Sequence, residues 1–366
     1  MKINISREEL LPALQIVNGV VERRQTLPIL SNLLMVVTKS QLSLTATDME
    51  VELVATIEKS MSASGEITLP ARKLLDICRA LPEGAEINME VKNDRAMIRS
   101  GKSRFTLATM PAQEYPLIEF TEDANQFSIS QSKLKNALDN TAFAMAQQDV
   151  RYYLNGLLFE LEGSRLRTVA TDGHRLALCD TEVESNKNKQ AQVIVPRKGV
   201  TELNRLLHEG EQSINVQISS NHIRIELDGI KFTSKLVDGK FPDYTKVIPA
   251  ASDTPVVANK NDLKQGLTRA SILSNEKYRG VRIILEKGKI RALAHNPEQE
   301  EAEEEIEVNY NGNELEIGFN VSYLLDALSI VKSEEVLITI TDPNSSCLFL
   351  PQDSTDCKFV VMPMRL

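Results

Sequence analysis

The sequence predicts an α+β protein of three repeated domains, each with antiparallel strands and two helices on one face. Two observations carry that prediction. The first is repetition. Leu42–Asp48 (LSLTATD), Leu166–Asp172 (LRTVATD) and Ile290–Asn296 (IRALAHN) start 124 positions apart. Phe105, Phe232 and Phe359 keep a similar beat, 127 apart. A period of about 125 far exceeds the 20–50 residues of a solenoid repeat, so each unit is a whole domain. The second is the order inside each unit, which runs helix, strands, helix, strands.

Each unit opens with a helix, over Ser6–Val20, Ser130–Ala146 and Asn259–Leu273. Ser6 and Ser130 suit N-caps. Leu134, Ala137, Leu138 and Thr141 mark the apolar stripe of the second of these helices. Strands follow at Ile29–Val36, Tyr153–Glu160 and Tyr278–Leu285, each leading into the repeated strand. A second helix recurs at Pro70–Leu81, Pro196–Leu207 and Asn320–Val331. Further strands alternate or form short apolar runs, as in Phe127-Ser-Ile-Ser and Ile223-Arg-Ile-Glu-Leu. Polar stretches at Thr121–Asn125 and Pro249–Thr254 place the boundaries, giving domains 1–125, 126–252 and 253–366.

The chain has 366 residues, 42% hydrophobic and 25% charged, with 5% aromatic and no Trp. That is ordinary for a soluble globular protein with Leu, Ile, Val and Ala cores. Cys78, Cys179, Cys347 and Cys357 form no C-x-x-C, so neither a zinc knuckle nor a redox pair is expected. Cys78 and Cys179 read as small buried hydrophobes, which fits a reducing cytoplasm. No leader-like apolar run opens the chain and no stretch of about 18 apolar residues predicts a membrane span.

The net charge of −9 and pI of about 5.3 argue against nucleic-acid binding unless the cations are gathered on one surface. They are gathered. The six helical stretches together carry +6, which leaves −15 for the rest. Arg72 and Arg79 share the face opposite Leu74, Ile77, Cys78 and Leu81. Lys198 and Arg205 likewise oppose Val200, Leu203 and Leu207. The third repeat has Ser322 and Ser329 there. Any one such helix is simply a solvated face. Segregation over several points to phosphate contact, which is independent of sequence and permits sliding.

The string with the strongest enzyme character is Thr171-Asp-Gly-His174-Arg, where Asp172 and His174 could form an acid/base pair. Its sister segments, Thr47-Asp-Met-Glu50 and His295-Asn-Pro-Glu298, keep the corner without that chemistry, so no catalysis and no cofactor is expected. Glu298–Glu305 holds six Glu in eight residues and leads into an alternating strand. It is either a solvated edge or one that suits a basic partner edge such as Lys73, Arg95, Lys102 and Arg104. Unlike surfaces meeting head to tail close a ring when the rotation closes. The apolar end Phe359–Leu366, with two Met, is either a last packed strand or part of an adaptable groove for partner peptides.

Several strings resemble the bacterial sliding clamps, the β subunits of DNA polymerase III. They include Gln148–Gly156 (QDVRYYLNG), Val169–Leu176 (VATDGHRL), Val195–Gly199 (VPRKG), Ser234–Gly239 (SKLVDG), Phe241–Tyr244 (FPDY) and Asn275-Glu-Lys277. Asn296–Glu300 (NPEQE) and Met362–Leu366 (MPMRL) complete the set. The likeness spans all three domains. It implies clamp-type domains that assemble as a head-to-tail homodimer, a closed ring around double-stranded DNA. It also implies partnership with the polymerase III catalytic subunit, the clamp loader, and other polymerases and repair proteins through short peptides. The implied peptide pocket comprises Tyr153, Leu154, Thr171, Gly173, His174, Arg175, Leu176, Pro242, Val247, Tyr323, Ser346, Val360, Val361, Met362, Pro363, Met364, Arg365 and Leu366, with Lys246 where some members carry Arg. Arg23, Arg24, Gln148, Arg197 and Lys198 would lie toward DNA, beside Arg72, Arg79 and Arg205 from the charge pattern. Ile272 and Leu273 would meet Phe105 and Leu107 at the dimer interface, where Lys73, Arg95 and Lys102 would face Glu298, Glu300 and Glu304.

Overall fold

Six apolar stripes of helical period become helices: α1 (Arg7–Val17), α2 (Ala71–Ala80), α3 (Gln131–Thr141), α4 (Arg197–Leu206), α5 (Lys260–Ser271) and α6 (Val321–Ile330). The structure is a computed structural model that describes all residues except 22–26, 62, 122–124, 186–189, 251, 253 and 366. Ser6 caps α1 through a capping box: its Oγ accepts the Glu9 N–H at 3.3 Å, and the Glu9 carboxylate accepts the Ser6 N–H at 3.0 Å. Asn259 and Asn320 cap α5 and α6. The expected stripe Leu134, Ala137, Leu138 and Thr141 is fully buried. On α2, Leu75 rather than Ile77 completes the stripe.

Two helices are shorter than the sequence suggests. The α1 helix stops at Val17 and α3 at Thr141, each passing into a 3-10 turn. Asn18 Nδ2 donates back to the Leu14 carbonyl at 2.8 Å, and Thr141 Oγ1 to that of Ala137 at 2.6 Å. Such side-chain bonds compete with the helical ladder.

The chain divides into two compact units, one of Met1–Ser132, Glu184–Asn186 and Lys198–Leu236, the other of Lys133–Val183, Lys187–Arg197 and Val237–Leu366. The first holds a four-stranded and a nine-stranded sheet, and the second a four-stranded and an eight-stranded sheet. The pairings that join successive named strands in these sheets are antiparallel. The α1 helix packs on α2 and on the strand Val51–Glu58; α5 packs on α6 and on Glu301–Glu307.

Each large sheet contains a seam where strands of successive repeats meet. At the first seam the Val51 strand (Val51–Glu58) pairs with the Ile230 strand (Ile230–Lys235), with Val51 opposite Ser234 and Ala55 opposite Ile230. At the second, the Arg175 strand (Arg175–Glu182) pairs with the Cys357 strand (Cys357–Val361), with Arg175 opposite Val361 and Cys179 opposite Cys357. Since Val51 and Arg175 are 124 apart and Ser234 and Val361 are 127 apart, the two seams share one register. The third copies of these strands, Ser103–Ala108 and Glu301–Glu307, each form an edge of a four-stranded sheet.

Cys179 is buried, as its reading as a small hydrophobe expects, but it is not a lone thiol. Cys179 and Cys357 are disulfide-bonded across the second seam, 178 positions apart in sequence, so no local spacing could reveal them. Cys78 and Cys347 are free and buried. Among the described residues, no helix is long and apolar enough to cross a membrane.

Candidate functional site

A four-residue turn at the head of the Arg175 strand gathers most of the candidate pocket residues. Thr171 Oγ1 donates to the Arg175 carbonyl at 2.6 Å and accepts the Gly173 N–H at 3.1 Å. Asp172 Oδ1 accepts the N–H groups of His174 (2.9 Å) and Arg175 (3.0 Å), an Asx turn. Gly173 sits at φ +88°, where a side chain would be strained and would also press on the Arg151 guanidinium. The other Asp172 oxygen accepts Arg175 Nε at 3.1 Å. Asp172 is thereby committed to holding the turn, and His174 stacks on Tyr323 with ring centroids 6.0 Å apart.

Arg175 is fixed on every side. It pairs with Asp326 of α6 and donates to the Phe143 carbonyl at 3.0 Å. Its guanidinium also lies over the rings of Tyr323 (4.8 Å) and Phe143 (5.3 Å). Burial, with Asp172 nearby, raises the Tyr323 pKa, so its hydroxyl stays protonated. A cavity of about 410 Å³ opens here, lined by His174, Arg175, Tyr323, Gln148 and Arg197 among others. At its rim, hydrogen bonds from Arg151 hold Asp149 down at a pKa of about 2.

Beside this polar corner lies an apolar cluster. Leu176, Val360, Leu348, Phe241 and Tyr244 belong to its buried part, and Tyr153 and Val247 pack against it half-buried. Ser346 Oγ donates to the Val247 carbonyl at 2.9 Å, fixing the loop that carries Val247. Leu154 and Val361 are buried, Pro242 is exposed, and Met362, Pro363 and Met364 are half-buried. Arg365 is exposed, and Leu366 lies outside the described residues. Lys246, 79% exposed, pairs with Asp243 at 3.0 Å. The sequence reading misses Phe143 and Asp326, and names Phe241 and Tyr244 only within the string FPDY, not as pocket residues. Asp326 carries a usable signal, since it lies one helical turn beyond Tyr323.

The candidate DNA-facing residues are less uniform. Arg23 and Arg24 lie outside the described residues. Arg72, Arg79 and Arg205 line one cavity of about 470 Å³. Arg205 also pairs with Glu202 and donates to the Ile16 carbonyl at 2.9 Å. Lys198 is paired with Asp48, and Arg197 donates to the Met145 carbonyl at 2.9 Å. Gln148 is exposed at φ +57°.

Of the candidate interface residues, Ile272 is 74% exposed, Leu273 and Phe105 half-buried and Leu107 buried. Lys73, Arg95, Lys102 and Arg104 are exposed and make no ion pair among the described residues. Glu298 and Glu300 are exposed, whereas Glu304 takes a two-point ion pair from Arg269, at 2.9 and 2.8 Å.

Comparison with known proteins places these features. Family models for the DNA polymerase III beta subunit match the chain in three parts: the N-terminal domain over 1–119, the central domain over 128–243 and the C-terminal domain over 245–365. The chain is 53% identical to the beta sliding clamp of Pseudomonas aeruginosa and 50% identical to that of Escherichia coli, each alignment covering both chains completely. It is also similar to a crystal structure of the Pseudomonas aeruginosa DNA polymerase sliding clamp with ligand (TM-score 0.97, 52% identity, all of both chains). A Caulobacter crescentus beta sliding clamp matches with a TM-score of 0.95 at 36% identity, covering 100% of this chain and 99% of the other.

Proposed function

The chain belongs to the DNA polymerase III beta subunit family of sliding clamps, and on that premise we propose that two copies close head to tail into a ring around duplex DNA. A sliding clamp is a processivity factor without catalysis of its own. It holds on by topology, so weak contacts still give lasting association.

The observation that carries the ring is the pair of unused seam strands. Two of three repeat-to-repeat seams form inside the chain, in one register. The two strands left over, Ser103–Ala108 and Glu301–Glu307, are both open edges. One edge carries Arg104, with Lys102 just before it, neither in an ion pair among the described residues, and the other is acidic. The turn before the Glu301 strand is one residue longer than its sisters, with His295 opposite Glu301 where Thr171 stands opposite Leu176. The shared register then sets Glu303 opposite Arg104 and Glu305 opposite Lys102 of the other copy. Opposite charges directly across strands favour that pairing, and pairing removes both exposed edges. Glu304, satisfied by Arg269, contributes less than its neighbours.

The same reading assigns the turn at Arg175, with the adjoining apolar cluster, to short partner peptides of the polymerase III catalytic subunit, the clamp loader and other DNA-processing proteins. The preformed Arg175 corner and the half-buried Tyr153, Val247 and Met362 support it. Arg72, Arg79, Gln148, Arg197, Lys198 and Arg205, with Arg23 and Arg24, are assigned to sequence-independent contact with phosphates. The domains are taken as 1–125, 126–252 and 253–366, and the compartment as the cytoplasm.

The decisive test is retention of loaded protein on a nicked circular plasmid before and after a single restriction cut. Loss on linearisation is expected of a ring; equal retention on both forms sinks the proposal.

A further inference from the structure

The turn that builds the pocket at the second seam is built again at the first. Thr47 Oγ1 donates to the Val51 carbonyl at 2.9 Å and accepts the Met49 N–H at 2.9 Å, as Thr171 does with Arg175 and Gly173. Asp48 Oδ1 accepts the N–H groups of Glu50 and Val51, as Asp172 does with His174 and Arg175. Met49 and Gly173 share a positive φ, +73° and +88°. The Lys235 N–H reaches the Glu50 carbonyl at 2.8 Å, and 127 positions on the Met362 N–H reaches the His174 carbonyl, also at 2.8 Å. A cavity of about 300 Å³ lies against the first turn. Among its walls are Thr47, Ile118, His222 and Lys235, the repeat counterparts of Thr171, Val247, Ser346 and Met362.

The chemistry has changed while the frame has not. Lys235 brings a cation where Met362 is apolar. His222, the counterpart of Ser346, is 5% exposed, and neither of its ring nitrogens has a hydrogen-bond partner among the described residues. Buried polar groups are nearly always paired, and leaving one unpaired is costly. Burial lowers the pKa of His222, so its ring is neutral and offers one donor and one acceptor. Met49 and Leu117, 41% and 57% exposed, are two of the few large apolar side chains left open, and both line this cavity.

We propose that the first seam carries a second peptide cleft, one that takes a segment with an apolar side chain next to a carboxylate. Met49, Leu117 and Ile118 receive the apolar side chain. Lys235 pairs with the carboxylate, and His222 and Asn221 bond to the peptide or its acid. Glu119, also on the wall, disfavours a second acidic group. The inference rests on reading the second-seam pocket as a peptide site, because the shared frame is what makes the ligand a peptide.

The test uses full-length protein carrying ¹⁵N in histidine only, which gives ring signals from four residues. N-acetyl-Leu-Asp is titrated in, with N-acetyl-Leu-Asn as control. His222 is expected to shift saturably, with a midpoint raised about tenfold by Lys235→Ala or by the Asn control, as loss of a charged hydrogen bond implies. Leu117→Ser, at a position 57% exposed, should also weaken binding. A His222 signal that stays still, or one whose midpoint ignores Lys235→Ala, overturns the cleft. His174 reports on the second-seam pocket in the same spectra, so movement of His174 alone defeats this inference while leaving that reading intact.

Discussion

The first and second seams pair the same strands in the same register, yet they are secured by different means. Where Ala55 meets Ile230 at the first seam, Cys179 is bonded to Cys357 at the second. Where Glu52 is buried at the first, the second has Leu176. Register is therefore set by what the seams have in common: the Asx turn at the head of one strand and a buried phenylalanine on the other, Phe232 or Phe359. The remaining positions were free to specialise, and at the second seam they built the cage around Arg175.

The shared phenylalanines are where the comparison breaks most visibly. Phe232 and Phe359 are 0% and 1% exposed, so Phe232→Ala and Phe359→Ala should each cost about 3–5 kcal/mol in urea unfolding. Phe105, the third copy, lies half-buried on an open edge. Phe105→Ala should leave unfolding much less affected while shifting sedimentation from dimer to monomer. Equal losses at all three positions would deny that the third seam forms between copies.

A smaller effect separates the seams by their lock. The disulfide closes a long loop, and such bonds contribute about 2–4 kcal/mol. Reductant should lower the unfolding midpoint of the native protein and leave a Cys179→Ala/Cys357→Val variant unchanged. The pocket should survive reduction, because the first seam holds the same register with Ala55 and Ile230. Stability indifferent to reductant would mean that the bond adds nothing to a seam already held by packing.

Much of this was legible beforehand. Repetition exposed the three domains, and helical periodicity exposed six helices, because both signals are local or strictly periodic. The Arg175 corner was legible only in part. Asp172, His174 and Arg175 stood out as a string, but Asp326 and Phe143 reach them from other elements, and nothing in the string names those partners. The disulfide was invisible for the same reason. The charge count located basic helices but could not show that Lys198 is neutralised by Asp48, a residue from another repeat.

Glu52 sharpens the contrast through pH. It is 5% exposed and accepts the Ile118 N–H at 2.9 Å, yet burial outweighs that bond and raises its pKa. A carboxyl whose folded pKa exceeds its unfolded value favours folding most when protonated. Its contribution declines as pH rises from about 4.5, the ordinary value, through the raised one. Glu52→Gln keeps an acceptor for Ile118 and removes the buried charge. The variant should match the native protein near pH 4 and gain on it at neutral pH, in urea titrations across that range. Leu176→Gln at the second seam should only destabilise, since no charge is relieved there.

The smallest expected effect belongs to Glu9, which runs the opposite way and so checks the sign. The Lys59 ammonium, then the Ser6 N–H and hydroxyl, hold its pKa down at about 2. A depressed carboxyl stabilises the fold above its unfolded value, and that contribution is lost as pH falls from about 4.5 toward 2. The carboxylate is 39% exposed, so solvent screens the pair, and Glu9→Gln should cost under about 1 kcal/mol at pH 7. That deficit should shrink in acid, just where the gain from Glu52→Gln has already vanished. A Glu9→Gln deficit that grew on acidification would show the capping box working through geometry alone, with the Lys59 charge irrelevant to it.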